Sequence, residues 1–161
     1  MSTLIAPVIN SVVAANKYHL GLFVNAQSLY MAEVLMADVA NHLTAANAGT
    51  ATTFVLKRIM APGTGTAVNL RKHCSKESAP SVISALSNIS SPTEDSSPEL
   101  YTKTLYTEET TSQTPGTPLF QAGILNVIEL WPGQGLVIQQ TALASAGAIS
   151  AFFAFRFRGV A

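Results

Sequence analysis

Toward the end of the chain, Ile149, Ala151, Phe153, Phe155 and Phe157 alternate with Ser150, Phe152, Ala154, Arg156 and Arg158. Successive side chains on a strand point to opposite faces. A strand therefore gathers the first set into one apolar face and closes the other with two arginines. A helix would scatter the phenylalanines around its circumference. The run thus demands a β-strand with one face against a core. Just upstream, Leu136 to Thr141 follows Pro132-Gly-Gln-Gly135, and a Pro/Gly cluster between apolar runs marks a chain reversal. The nearest residue suited to acid–base chemistry is Glu129, so this end of the chain speaks for architecture rather than catalysis.

Similar patterns recur upstream. Tyr18, Leu20 and Leu22 alternate with His19, Gly21 and Phe23, and Thr52, Phe54, Leu56 and Arg58 alternate with Thr53, Val55, Lys57 and Ile59. The second run is rich in β-branched residues and predicts a strand over 50–60. Pro62-Gly-Thr-Gly-Thr66 breaks it. Further strands are expected at 67–70, 81–89, 100–107 and 124–131. A basic loop is expected over 71–80, an exposed Ser/Pro/acid loop over 90–98 and a turn-rich connection over 110–118. Residues 1–17 read as an N-terminal arm or a first edge strand. Residues 29–43 are ambiguous, because Leu29, Ala32, Met36, Val39 and Leu43 fit a helical template while their neighbours on both sides are β-patterned. Several short strands with regular turn signals predict a sandwich or barrel. Without an internal repeat or linker, the division is an arm over 1–17 and one domain over 18–161.

The chain has 161 residues, a natural size for one core. Only 11% are charged, against roughly 25% in an ordinary soluble domain. Charge depletion marks interface cores, so an oligomer is expected. No apolar run reaches the roughly 18–20 residues of a spanning helix, and the first residues lack a signal-peptide pattern, so no membrane partner is expected. Cys74 is the single cysteine, which fits synthesis in a reducing cytoplasm. Net charge is zero, which gives no electrostatic case for nucleic acid. Charge is uneven, however. Lys57, Arg58, Arg71, Lys72 and Lys76 form a basic run, and Glu94, Asp95, Glu99, Glu108 and Glu109 an acidic one. These are either solvated loop faces or complementary patches that set register between subunits.

Candidates for chemistry are sparse. His19, His42 and His73 stand in no His-x-His or His-x-x-x-His spacing. His73 and Cys74 are adjacent and would need further metal ligands from elsewhere. Asp38 and Asp95 are the only aspartates, and no Gly-x-Ser-x-Gly elbow accompanies them. Glu108 and Glu109 are neighbours on a Thr-rich segment and read as solvated carboxylates rather than a glycosidase pair. Gly63-Thr-Gly-Thr-Ala67 lacks the lysine of a phosphate loop and reads as a turn. Trp131 is either a sugar-stacking platform or the close of a core strand. Arg156 and Arg158 are expected to make intersubunit salt bridges. No catalysis, metal or cofactor is expected. A small hydrolase using His73 or Glu108 is the least favoured reading.

The segments Leu20-Gly-Leu-Phe-Val-Asn25, Phe54-Val-Leu-Lys-Arg-Ile59, Gly65-Thr66 and Leu130-Trp-Pro-Gly-Gln-Gly-Leu-Val-Ile-Gln139, with a last strand ending at Phe157, carry a resemblance. In order and spacing, over most of residues 18–158, the chain resembles trimeric jelly-roll decoration, or cement, proteins of bacteriophage capsids. Its ending is also similar to trimeric tumour-necrosis-factor-like jelly rolls and fibre-tip domains. The resemblance implies an all-β, single-domain, jelly-roll-like antiparallel β-sandwich, with the helical alternative at 29–43 still open. It implies a homotrimer on the virion surface that binds the major capsid protein and performs no reaction. The contact residues expected are Phe152, Arg156 and Arg158 on the last strand, Lys57, Arg71 and Lys72 of the basic run, and Glu108 and Glu109 of the acidic one. The alternative is a receptor- or glycan-binding fibre module using Trp131, Tyr101, Tyr106 and the 90–118 loops.

Overall fold

The computed structural model describes residues 3–42, 52–72, 80–105, 117–123, 126–141 and 148–160. These residues form β1 (Leu4–Val12), β2 (Tyr18–Val24), β3 (Tyr30–His42), β4 (Thr52–Ala61), β5 (Thr64–Ala67), β6 (Arg71–Lys72), β7 (Ile83–Ser90), β8 (Thr93–Leu105), β9 (Phe120–Gln121), β10 (Ile128–Leu130), β11 (Gly135–Gln140) and β12 (Ala148–Gly159). One sheet runs β10-β3-β12-β1-β6, with β9 also on the edge of β3, and the other runs β5-β7-β2-β11-β4-β8. The antiparallel pairs β1–β12, β2–β11, β3–β10 and β4–β8 nest inside one another along the chain. That nesting is a hairpin rolled across two sheets, and it makes the fold a jelly roll. The stretch from β5 to β7 is an insertion between the two innermost strands. It extends both sheets on one side, β6 beside β1 and β7 with β5 beside β2.

The last strand behaves as its alternation requires. Ile149, Ala151, Phe153 and Phe155 are buried against Leu20, Leu22, Phe54, Leu136 and Ile138, while Phe152, Ala154 and Arg156 on the other face are half-buried. The helical alternative over 29–43 is not realised, because residues 30–42 are strand. The reason is a β-bulge. Phe155 pairs with Val34 and Ala154 with Met36, which leaves Leu35 as an extra residue. The inward positions are Ala32 and Val34 before it and Ala37 and Val39 after it. A phase slip of one residue turns the period of two into mixed spacings that mimic a helix.

Other boundaries also differ from expectation. Residues 4–12 are a strand of the first sheet, set between β12 and the short β6 rather than at its edge. Residues 64–67, read as a turn, are an exposed strand against β7. Arg71 and Lys72, read as loop, pair with Ile5 and Leu4. The acidic loop over 90–98 is largely strand, because β8 starts at Thr93.

Every residue of β11 is buried. Leu136 and Ile138 face the other sheet. Over the opposite face reaches the Glu94 side chain of β8, a strand that pairs with β4 at Ile59–Glu94 and Ala61–Thr93. Glu94 accepts hydrogen bonds from Tyr18 of β2 at 2.7 Å and from Lys57 of β4 at 3.0 Å. Since β11 lies between β2 and β4, the Glu94 carboxylate straddles it. Backbones approach closely beneath this cover. A Cβ at Gly135 would lie 2.5 Å from the Leu22 carbonyl oxygen. Gly135→Ala should therefore destabilise the fold by about 1–3 kcal/mol through overpacking. Gly123→Ala, with nothing within 4 Å, should stay within about 0.5 kcal/mol of wild type. Urea denaturation of both variants checks this.

Candidate interaction surface

The two arginines that close β12 lie on the outward face of the first sheet, opposite β3. Arg156 is in register with Glu33, and its Nε donates to Glu33 Oε2. Arg158 reaches Glu33 Oε1 at 2.9 Å through Nε and Glu129 Oε1 at 3.1 Å through Nη2. Glu129 in turn accepts the indole N–H of Trp131 at 3.2 Å. Glu33 and Glu129 are direct cross-strand neighbours. Two like charges in that position repel unless cations sit between them, which the arginines do. The Glu33 side chain is only 8% exposed beneath them, while each arginine is about two-fifths exposed. Sequence reasoning found the arginines but missed Glu33, which sits within an apolar run.

The charge runs also meet inside the chain. Lys57 lies against Glu94, with Glu99 at 4.0 Å. Burial pushes the Glu94 carboxyl up, but the Tyr18 and Lys57 hydrogen bonds and the Lys57 charge outweigh it and hold it below the usual range. Burial and the same carboxylate push the Tyr18 phenol up to about 12. Lys103 of β8 donates to Asp38 of β3 at 2.6 Å and to the Val39 carbonyl at 3.1 Å, which ties the two sheets together. Arg71 and Lys72 are exposed at the edge beside β1. Glu108, Glu109, Tyr106, His73 and Cys74 lie outside the described residues.

One end of the sandwich exposes large apolar side chains beside the polar Asn25 and Gln27. Leu29 is 77% exposed, Trp131 45% and Tyr30 39%. Three connections bring them together. The turn before β11 closes with the Gln134 N–H on the Trp131 carbonyl at 2.9 Å, with Gly133 at φ 83°. That backbone region is open to glycine at no steric cost. The turn is stitched to the end of β2 by the Gly133 N–H on the Val24 carbonyl at 2.9 Å. Past the end of β12, the Val160 N–H donates to the Leu29 carbonyl at 2.8 Å. Tyr30 packs edge-on against Phe157 with ring centroids 5.8 Å apart. Trp131 is fixed twice, by Glu129 at its indole and by Gln134 Oε1 at its backbone N–H. Tyr101, grouped with Trp131 on sequence grounds, lies midway along β8 opposite Leu56 and packs at a tilt against Phe120. It belongs to a different part of the surface. Leu29 and Tyr30 carried no signal of their own, since exposure follows from the turn that precedes β3.

No protein-family model, curated protein or solved structure matches the chain.

The Glu33–Arg156 pair lends itself to a double-mutant cycle with Glu33→Gln and Arg156→Met. A coupling of about 1 kcal/mol in thermal or urea unfolding is expected for a pair with one buried and one half-exposed partner. Coupling near zero would show that the carboxylate does not hold the arginine within the chain.

Proposed function

We propose that this chain is a structural virion protein, a trimeric jelly roll that binds the outside of a phage capsid and cements the major capsid protein shell. The observation that carries this reading is the surface formed by Leu29, Tyr30 and Trp131. Trp131 and Tyr30 next to an arginine match the composition of interface hot spots, which are enriched in Trp, Tyr and Arg. Burying a leucine as exposed as Leu29 against a partner is worth about 1.5–3 kcal/mol. The charged side chains around the surface are engaged within the chain, so docking there does not require many ions to be stripped of water. Jelly rolls recur in viral capsid proteins, which is consistent with this role but does not by itself select it.

Light scattering should give the mass of a trimer, and the protein should co-sediment with capsids emptied of DNA. Leu29→Asp should weaken capsid binding at least tenfold with the fold intact by circular dichroism. A stable monomer that ignores capsids would overturn the proposal.

A second reading is favoured by the fixed indole of Trp131. A half-exposed ring held at its N–H by Glu129 suits stacking against the apolar face of a sugar, as a receptor- or glycan-binding fibre module would require. Glycan-array binding that disappears in Trp131→Ala, while capsid binding stays at wild-type strength, would replace the cement reading with this one.

A further inference from the structure

Two bulges turn polar side chains into the end of the core opposite Trp131. In β1 the pairing with β12 steps from Val8–Ala151 to Ser11–Ile149, and Asn10 between them has φ 59°. The inward positions pass from Leu4, Ala6 and Val8 to Ser11 and Val13. In β2, Leu20 pairs with Ile138 and Tyr18 with Gln139, which leaves His19 as the extra residue. His19 is 0% exposed, and its ring lies 5.8 Å from that of Phe54. Gln140 of β11, also 0% exposed, arrives on the same side by ordinary alternation after Leu136 and Ile138. Bulges re-aim side chains, and here two of them converge on one cluster.

The hydrogen bonds fix the tautomer. Gln140 Oε1 accepts the Ala14 N–H at 3.1 Å, so it can only accept from His19 Nε2, also at 3.1 Å. The proton is therefore on Nε2, and Nδ1 accepts the Ser11 hydroxyl at 2.8 Å. The cluster also holds the turn between β1 and β2. The Gln140 N–H donates to the Lys17 carbonyl at 2.8 Å, and Lys17 Nζ donates to the Val12 carbonyl at 2.7 Å. Around the ring, β1 offers Ser11, β11 offers Gln140 and β4 offers Phe54, all uncharged. The turn contributes the Lys17 cation. No carboxylate is bonded to the ring among the described residues.

We infer that Ser11, His19 and Gln140 form an acid-released latch, which keeps the corner between β1 and β2 closed while the imidazole is neutral. A proton on Nδ1 creates a buried imidazolium beside Lys17 with no counter-charge, and water is what relieves it. The weakest cover over the ring is the end of β1. Beyond the bulge, only Ser11–Ile149 and Val12–Ala148 pair it to β12, and Ile9 and Val12 point outward, 57% and 64% exposed. The corner opens locally while the β3–β12 ladder stays intact.

The direction follows from the two states. Burial, chiefly, with a further push from Lys17 that the Gln140 hydrogen bond opposes, lowers the closed imidazole to about 4. In the open corner it returns to about 6.5. Between these values the open form binds more protons. The latch holds fully above about pH 6.5, weakens as pH falls toward 4, and changes no further below that. Between pH 7 and pH 5 the opening equilibrium rises roughly twentyfold.

Amide hydrogen exchange at pH 7 and pH 5, corrected for intrinsic rates, tests the latch. Protection of residues 11–19 should fall about twentyfold while amides of β3 and β12 keep theirs. His19→Gln should remove the pH dependence of the corner. Lys17→Glu, which supplies a carboxylate beside the ring, should reduce the loss to less than about fivefold, and it decides the matter if His19→Gln does not fold. Equal corner protection at both pH values in wild type would overturn the latch. So would an unchanged pH-dependent loss in either variant, or an equal loss in β3 and β12.

Discussion

The antiparallel ladder between β3 and β12 supports the rest of the molecule. It runs from Ala148 opposite His42 to Gly159 opposite Tyr30 and forms the middle of the first sheet, with β1 on one side and β10 on the other. Its inward face buries Phe153 and Phe155 completely, each worth about 1.5–3 kcal/mol relative to exposure. Its outward face sets Arg156 and Arg158 over Glu33, and half-exposed ion pairs contribute about 0–1 kcal/mol each. The apolar face therefore drives the fold. The ionic face stabilises the register and keeps two neighbouring carboxylates from repelling one another.

The same division runs through the molecule. Lys57 with Glu94, Lys103 with Asp38 and the β12 arginines with Glu33 and Glu129 are all intrachain pairs between strands distant in sequence. Charges that could have served as recognition patches instead hold strands together. One end of the sandwich is left with Leu29, Tyr30 and Trp131 outward, and the opposite end holds a neutral histidine inward. The first is suited to contact, and the second makes the neighbouring corner sensitive to acid.

Strand identity was legible where one face is buried along an unbroken period, as in β2, β4 and β12. It was obscured in β3, where the extra residue Leu35 shifts the phase midway. Short strands such as β5, β6 and β9 bury too little to leave a periodic trace and exist because a neighbouring edge receives them. The arginines of the last strand stood out because they end an apolar run. Their partner did not, since Glu33 lies 123 residues away and only the register brings the two together. His19 looked like an outward residue of a regular strand, and only the bulge at its own position turns it inward. The apolar end was legible through Trp131 and its Pro-Gly turn, whereas Leu29 depends on how three connections meet.

Hydroxyl-radical footprinting of the protein, free and mixed with capsids, tests the proposed role of the Leu29, Tyr30 and Trp131 surface, because Trp, Tyr, Met and Leu are the side chains it reads best. If this surface meets the shell, oxidation of Leu29, Tyr30 and Trp131 falls several-fold on binding, while Tyr101, 44% exposed on a different part of the surface, stays as reactive as in the free protein. Unchanged oxidation of all three with capsid binding intact, and protection at Tyr101 instead, would contradict it.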